Sequence, residues 1–235
     1  MSTWISRRGL FAAASLVLLT GCLQAPEVGR RDGGPLRMPP ETVAVAGRSV
    51  VIGGPEGYCV DRSGSRLRGD TAFVLLGSCA SIAQDARAGA PLVPGVLMAS
   101  VGADSGSGPA IGAAIDQLAQ YLTTPAGRAA LARDGRAESV QVLESLREDG
   151  ALFIHLRDTS PDVVPGVAQD YWRGLFDVNR HLVTVSVVSF ADEPMSADAG
   201  LATLRGFFAR IRRETQQSVV QAKPARRPFF ENFLN

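Results

Sequence analysis

Three cysteines, two histidines and a pair of serines in a glycine-rich loop are the side chains of this 235-residue chain best suited to chemistry. His155 and His181 carry imidazoles that titrate near neutrality and suit proton transfer. Both fall inside strand patterns, His155 alternating with Phe153 and His181 at the edge of Val183, Val185 and Val187, so packing is the reading for each. No Asp or Glu cluster stands at ligand spacing beside them. Cys59 and Cys79 lie twenty positions apart without neighbouring histidines, which is not the ligand spacing of a zinc site. No metal and no cofactor are expected. Ser105 and Ser107, in the run Gly102 to Pro109, would need a base, and the strand-turn-helix motif G-x-S-x-G is missing around them. The run is read as a Gly/Ser loop that caps the helix after it, and no catalytic residue is assigned.

Cys22 is a different case. Arg7 and Arg8 precede an apolar run from Leu10 to Leu19, which has signal-peptide length and falls well short of the ~20 residues that span a bilayer. Leu19-Thr20-Gly21-Cys22 closes that run and resembles the lipobox of bacterial lipoproteins. The resemblance implies that the Cys22 thiol is acylated and that residues 1–21 are then removed, leaving Cys22 as the first mature residue. At ~0.8 kcal/mol per buried methylene, one chain binds marginally and two or three bind stably, so the implied partner is a membrane. Leu23, where aspartate would argue for the inner membrane, favours the outer membrane facing the periplasm. Ser6-Arg7-Arg8-Gly9-Leu10-Phe11 also resembles a twin-arginine signal, leaving the export route open.

With Cys22 lipidated, Cys59 and Cys79 remain as a pair in an oxidising compartment, and a disulfide between them is the expectation that follows. The loop Gly102-Ala103-Asp104-Ser105-Gly106-Ser107-Gly108-Pro109 is similar to the Gly-Asp-Ser-Gly-Gly-Pro segment of trypsin-like serine proteases. That family needs its histidine upstream of the serine, whereas both histidines here lie downstream; Ala103 is inserted, and Ser107 stands where glycine belongs.

Formal net charge is +1 and the arginines are scattered, so the basic footprint of a nucleic-acid binder is missing. Residues 22–41, rich in Pro and Gly without an apolar period, read as a flexible tether. A single domain is expected over residues 42–220. In it, Thr42 to Ile52 reads as two short strands or one bulged strand, followed by a turn over Gly53 to Gly57, a brief pairing segment at Tyr58-Cys59-Val60 and a polar loop from Asp61 to Asp70. Thr71 to Cys79, apolar on both faces, reads as a central strand, and after a loop through Pro91 and Pro94, Gly95 to Val101 reads as another. Ala110 to Leu122 has helical spacing, and Thr124-Pro125 begins a second helix to about Arg133.

Glu138 to Leu146 and Ala151 to Arg157 flank Asp149-Gly150 as a hairpin, and Asp170 to Val178 and His181 to Phe190 form another around Asn179-Arg180. Tyr171 and Trp172 at the start of the third of these strands are read as core. Ser196 caps a long helix to about Gln217, with Leu201, Leu204, Phe208 and Ile211 inward and Arg205, Arg210, Arg212 and Arg213 outward. Residues 221–235 form a basic tail in which Phe229, Phe230 and Phe233 are candidate binding side chains.

This order predicts an α+β fold, a mostly antiparallel sheet with packed helices in an α/β/α sandwich. The second hairpin with the Ser196 helix, and the turn Gly54-Pro55-Glu56-Gly57-Tyr58, resemble the Mog1/PsbP-like fold. The resemblance implies a non-enzymatic binding or assembly role, here toward another envelope protein or a small ligand. The alternative is a hydrolase with an unrecognised Ser/His site.

Overall fold

A computed structural model describes residues 35–108, 110–161 and 165–222. The described residues from Leu36 onward form one compact unit. Its frame is a seven-stranded antiparallel sheet with β3 (Tyr58–Arg68) and β6 (Val140–Glu148) at its edges. Between them the order is β4 (Thr71–Ser78), β5 (Val96–Asp104), β9 (His181–Phe190), β8 (Val167–Val178) and β7 (Ala151–Asp158). Two meanders, β3 to β5 and β6 to β9, are thus joined side by side by the β5/β9 pairing, in which Leu97 faces Val187 and Val101 faces Val183. The expected hairpins turn where Asp149-Gly150 and Asn179-Arg180 adopt positive φ, the geometry whose twist suits a two-residue connection.

Helices cover both faces. On one, the long helix α4 (Ala197–Ala222) lies with a small separate hairpin, β1 (Thr42–Val45) and β2 (Val50–Gly53), over Val185, Val187, Phe153 and Phe176. Phe208 of α4 meets Phe176 and Phe153 edge-on, with ring centroids 4.8 and 5.5 Å apart. Phe207, beyond the expected stripe, is fully buried, and Thr215 accepts a hydrogen bond from the Val51 N–H at 2.9 Å, tying the helix to β2. The Ser196 hydroxyl accepts from the Ala199 N–H as the expected cap. Arg210 departs from the solvent side: half-buried, it pairs with Glu214 at 2.9 Å one turn on and with Glu41 at 3.4 Å. The opposite face carries α2 (Ile115–Thr123) and α3 (Pro125–Leu131) over Leu152, Ile154, Leu156, Tyr171 and Val188. Thr124 caps α3 by accepting from the Gly127 N–H at 3.1 Å, with Pro125 in the first turn.

Several expectations need correcting. Residues 61–68 are strand, not loop. A bulge interrupts the β3/β4 register between Asp61 and Arg66, and the polar side chains themselves repair the ladder. Asp61 Oδ1 accepts from the Ser63 and Gly64 N–H groups, while the Ser65 hydroxyl donates to the Asp61 carbonyl and accepts from the Leu75 N–H. Polar composition is what an edge strand tolerates. Cys79 does not end β4 but begins a short helix, α1 (Cys79–Ala83).

β5 runs on through Asp104, so the first three residues of the expected Gly/Ser loop are strand, and the loop caps nothing: α2 starts after Ala114 without a side-chain cap. A 3-10 turn over Ile111–Ala113 replaces the first helical turn, its Ile111 N–H donating to the Asp177 carboxylate. β6 and β8 each start away from the expected residue, at Val140 and Val167, α3 stops at Leu131, and α4 runs to Ala222. Asp158, fully buried at the end of β7, accepts from the Ser160 N–H at 2.9 Å, the Ser160 hydroxyl at 2.5 Å and the Arg133 N–H at 3.2 Å. It fastens the connection after α3 to the sheet, as a buried carboxylate with its acceptor capacity filled.

Candidate functional site

The site is a corner of the molecule where the chain joins the sheet. Its foundation is a disulfide between Cys59 of β3 and Cys79 of α1, with Cα atoms 4.9 Å apart. Both cysteines are buried, with Ala88 beside them and Leu36, Ile82 and Ala83 packed around. Leu36 to Pro40, at the end of the expected tether, therefore lie against the disulfide, and the Pro40 carbonyl accepts the Val60 N–H at 2.7 Å. That contact covers part of an otherwise open strand edge.

From the disulfide a loop over residues 88–95 stands out between two elements; two bonds hold it and a third closes the corner at its base. The Ala80 N–H donates to the Gly89 carbonyl at 2.7 Å, and the Cys79 N–H to the Gly57 carbonyl at 2.9 Å. The Tyr58 hydroxyl donates to the Val93 carbonyl at 2.6 Å. Gly57 is required here: its φ is +82°, and a Cβ would lie 2.4 Å from the Pro91 nitrogen. Pro91 and Pro94 stiffen the loop further. At its crest Leu92 is wholly exposed.

Shallow grooves flank the loop. One of about 460 Å³ runs between it and the start of α4, along Pro55, Tyr58, Ala199 and Ala202. Another of about 480 Å³ lies toward Ile82, Val96 and Phe190. A third, of about 390 Å³, contains half-exposed Met38 beside Gly89 and Ala90. The first two grooves are mainly apolar, whereas the third is more polar, with Glu56 and the Glu41–Arg210 pair in its lining.

Burial pushes the Tyr58 phenol up to about 12. The neutral form is the one that fits, since the phenolate would lose water and could no longer donate to Val93. A raised folded value means that this contribution is complete below pH 10, the value of a free phenol, and is lost as pH rises toward 12. Chemical denaturation between pH 10 and 12 is expected to show stability falling by on the order of 2 kcal/mol. The fall is expected to be smaller in Tyr58→Phe, where the Tyr171 phenol, also raised by burial, still contributes; an equal fall in both proteins would remove Tyr58 as its source.

The other chemistry-bearing residues are engaged elsewhere. His155 stacks on Trp172, its partner across β7 and β8, with ring centroids 4.8 Å apart and planes 7° off parallel. His181 is buried, with Nδ1 2.9 Å from the Gly102 carbonyl. Ser105 donates to the Arg180 carbonyl at 2.8 Å. Among the described residues no histidine is hydrogen bonded to a serine. Asp104 is held below the usual carboxylate range by the Gly106 N–H first and the Arg180 guanidinium second. Asp104 and Arg180 border a wide depression of about 1020 Å³ at the Asn179-Arg180 end of the sheet. Tyr171 and Trp172 are core, on opposite faces, as expected.

Cys22 and the phenylalanines 229, 230 and 233 lie outside the described residues. Sequence reasoning placed the disulfide and a loop through Pro91 and Pro94, but not the exposure of Leu92 at its crest. Comparisons with protein-family models, curated proteins and solved structures return no match to this chain.

Proposed function

We propose that this chain is a lipoprotein of the bacterial cell envelope, anchored through acylated Cys22 in the outer membrane and facing the periplasm, with a non-enzymatic binding or assembly role. The observation that carries the reading is the Cys59–Cys79 disulfide. It accounts for two of the three cysteines and is at home in an exported protein, leaving Cys22 as the thiol that follows Leu19-Thr20-Gly21. The α+β body with its C-terminal helix is consistent with the Mog1/PsbP-like fold, which we assign on the second hairpin, α4 and the Gly54 to Tyr58 turn. A braced apolar corner beside the tether supports a binding role.

Crosslinking in intact cells tests it, comparing the lipidated chain with an exported soluble Cys22→Ser form. The expected result is a discrete envelope-protein adduct on the anchored chain. Absence of any adduct, together with hydrolytic turnover by the purified protein that Ser105→Ala abolishes, would overturn the reading.

A further inference from the structure

The apolar corner has a distinctive position on the chain: it is where the polypeptide arrives from Cys22. We propose, resting on the lipoprotein reading, that this corner is the face the protein lays against the lipid surface carrying its anchor. Leu92 enters the boundary between headgroups and acyl chains, with Met38 at its margin.

Three observations carry this. First, Leu36 packs beside the disulfide with Ala88, four residues before Leu92, so the chain leaves the body at this corner. Fourteen residues run from Cys22 to Pro35, and a coil of that length averages about 20 Å end to end at ~5–6 Å × √n. Val188 of β9 pairs with Val96 beside the loop, whereas Leu182 lies six residues farther along the same strand, about 20 Å away at ~3.4 Å per residue. Laying the far end on the bilayer would therefore consume the coil's whole average reach. Laying the near corner there costs none of it.

Second, Leu92 is wholly exposed on a loop that the disulfide, Tyr58, Gly57 and two prolines hold rigid. An apolar crest that is already ordered loses little conformational freedom on insertion. Third, two exposed arginines at the corner suit headgroup phosphates, beside the carboxylates of Glu41, Glu56 and Asp85. Arg37 is exposed next to Leu36, and Arg87, paired with Asp85, projects from the turn before the loop. Pro55, Pro91, Val93 and Ala202 extend the apolar area around the crest.

The test uses the full chain, extracted from cell membranes and reconstituted in phosphatidylethanolamine–phosphatidylglycerol vesicles with brominated acyl chains. Leu92→Trp reports the crest, Leu182→Trp the far end, and buried Trp172 is the internal reference. Both positions are exposed, so neither replacement disturbs the core. The expected result is a blue-shifted, bromine-quenched signal from Leu92→Trp and an unquenched one from Leu182→Trp. Acylated protein in which Leu92→Trp is unquenched, or both positions are quenched alike, overturns the proposed face while the anchor stands. Protein whose mass shows no acyl chain overturns both.

Discussion

Replacing Cys22 by serine, with residues 1–21 exchanged for a signal that is cleaved without lipid transfer, is expected to move the protein wholly from the membrane to the soluble periplasmic fraction. The size of the effect follows from the proposed anchor. Two or three acyl chains at ~0.8 kcal/mol per buried methylene hold a protein on a bilayer, and removing them removes nearly all of that affinity. No helix among the described residues is long and apolar enough to cross a membrane in their place. A single leucine at the corner contributes ~1.5–3 kcal/mol even when fully buried, too little to retain the soluble form. Fractionation after selective release of the periplasm checks this. Persistence of the Cys22→Ser variant in the membrane pellet would mean that another part of the chain binds there.

Breaking the disulfide is the second large effect. Cys59 and Cys79 are 20 residues apart, and closing a loop of that size stabilises a fold by about 3 kcal/mol in the chain-entropy model. The double variant Cys59→Ala/Cys79→Ala is expected to melt roughly 6–12 °C below the parent, at ~2–4 °C per kcal/mol for a domain of this size. Reductant should lower the parent toward the same temperature and leave the variant unchanged. The loss is also local. Leu36, Ala88 and the turn before residues 88–95 pack directly on the disulfide, so proteolysis of the variant is expected first in that loop. A variant that melts with the parent would show that the bond ties together residues already held by the sheet.

The parts of this fold that were legible in the sequence are those whose stabilisation is local. Asp149-Gly150 dictates a tight turn whatever surrounds it, and the alternation of Leu152, Ile154 and Leu156 with Phe153 and His155 reports two faces directly. Thr124-Pro125 is similarly self-contained. What escaped depends on distant partners. Residues 61–68 form a strand because the Ser65 hydroxyl meets the Leu75 N–H ten residues away, and their composition alone signals a loop. Phe207 is buried because β1 and β2 pack over the same face as α4, which widens the apolar stripe beyond what one helix displays.

The candidate site divides the same way. The cysteine pair was visible from compartment and count, whereas the corner arises only when Leu36, Gly57, Tyr58 and residues 88–95 converge around it. A leucine in a proline-containing loop carries no sign in the sequence that it will end up wholly exposed.

The central claim is that Cys22 carries the lipid, and the intact mass of the protein taken from cell membranes tests it most directly. The mass predicted is that of residues 22–235 with one disulfide plus two or three acyl chains on Cys22, with the ester-linked chains lost on mild alkaline hydrolysis. A mass equal to the full 235-residue chain beginning at Met1, with Cys22 unmodified, would contradict the account.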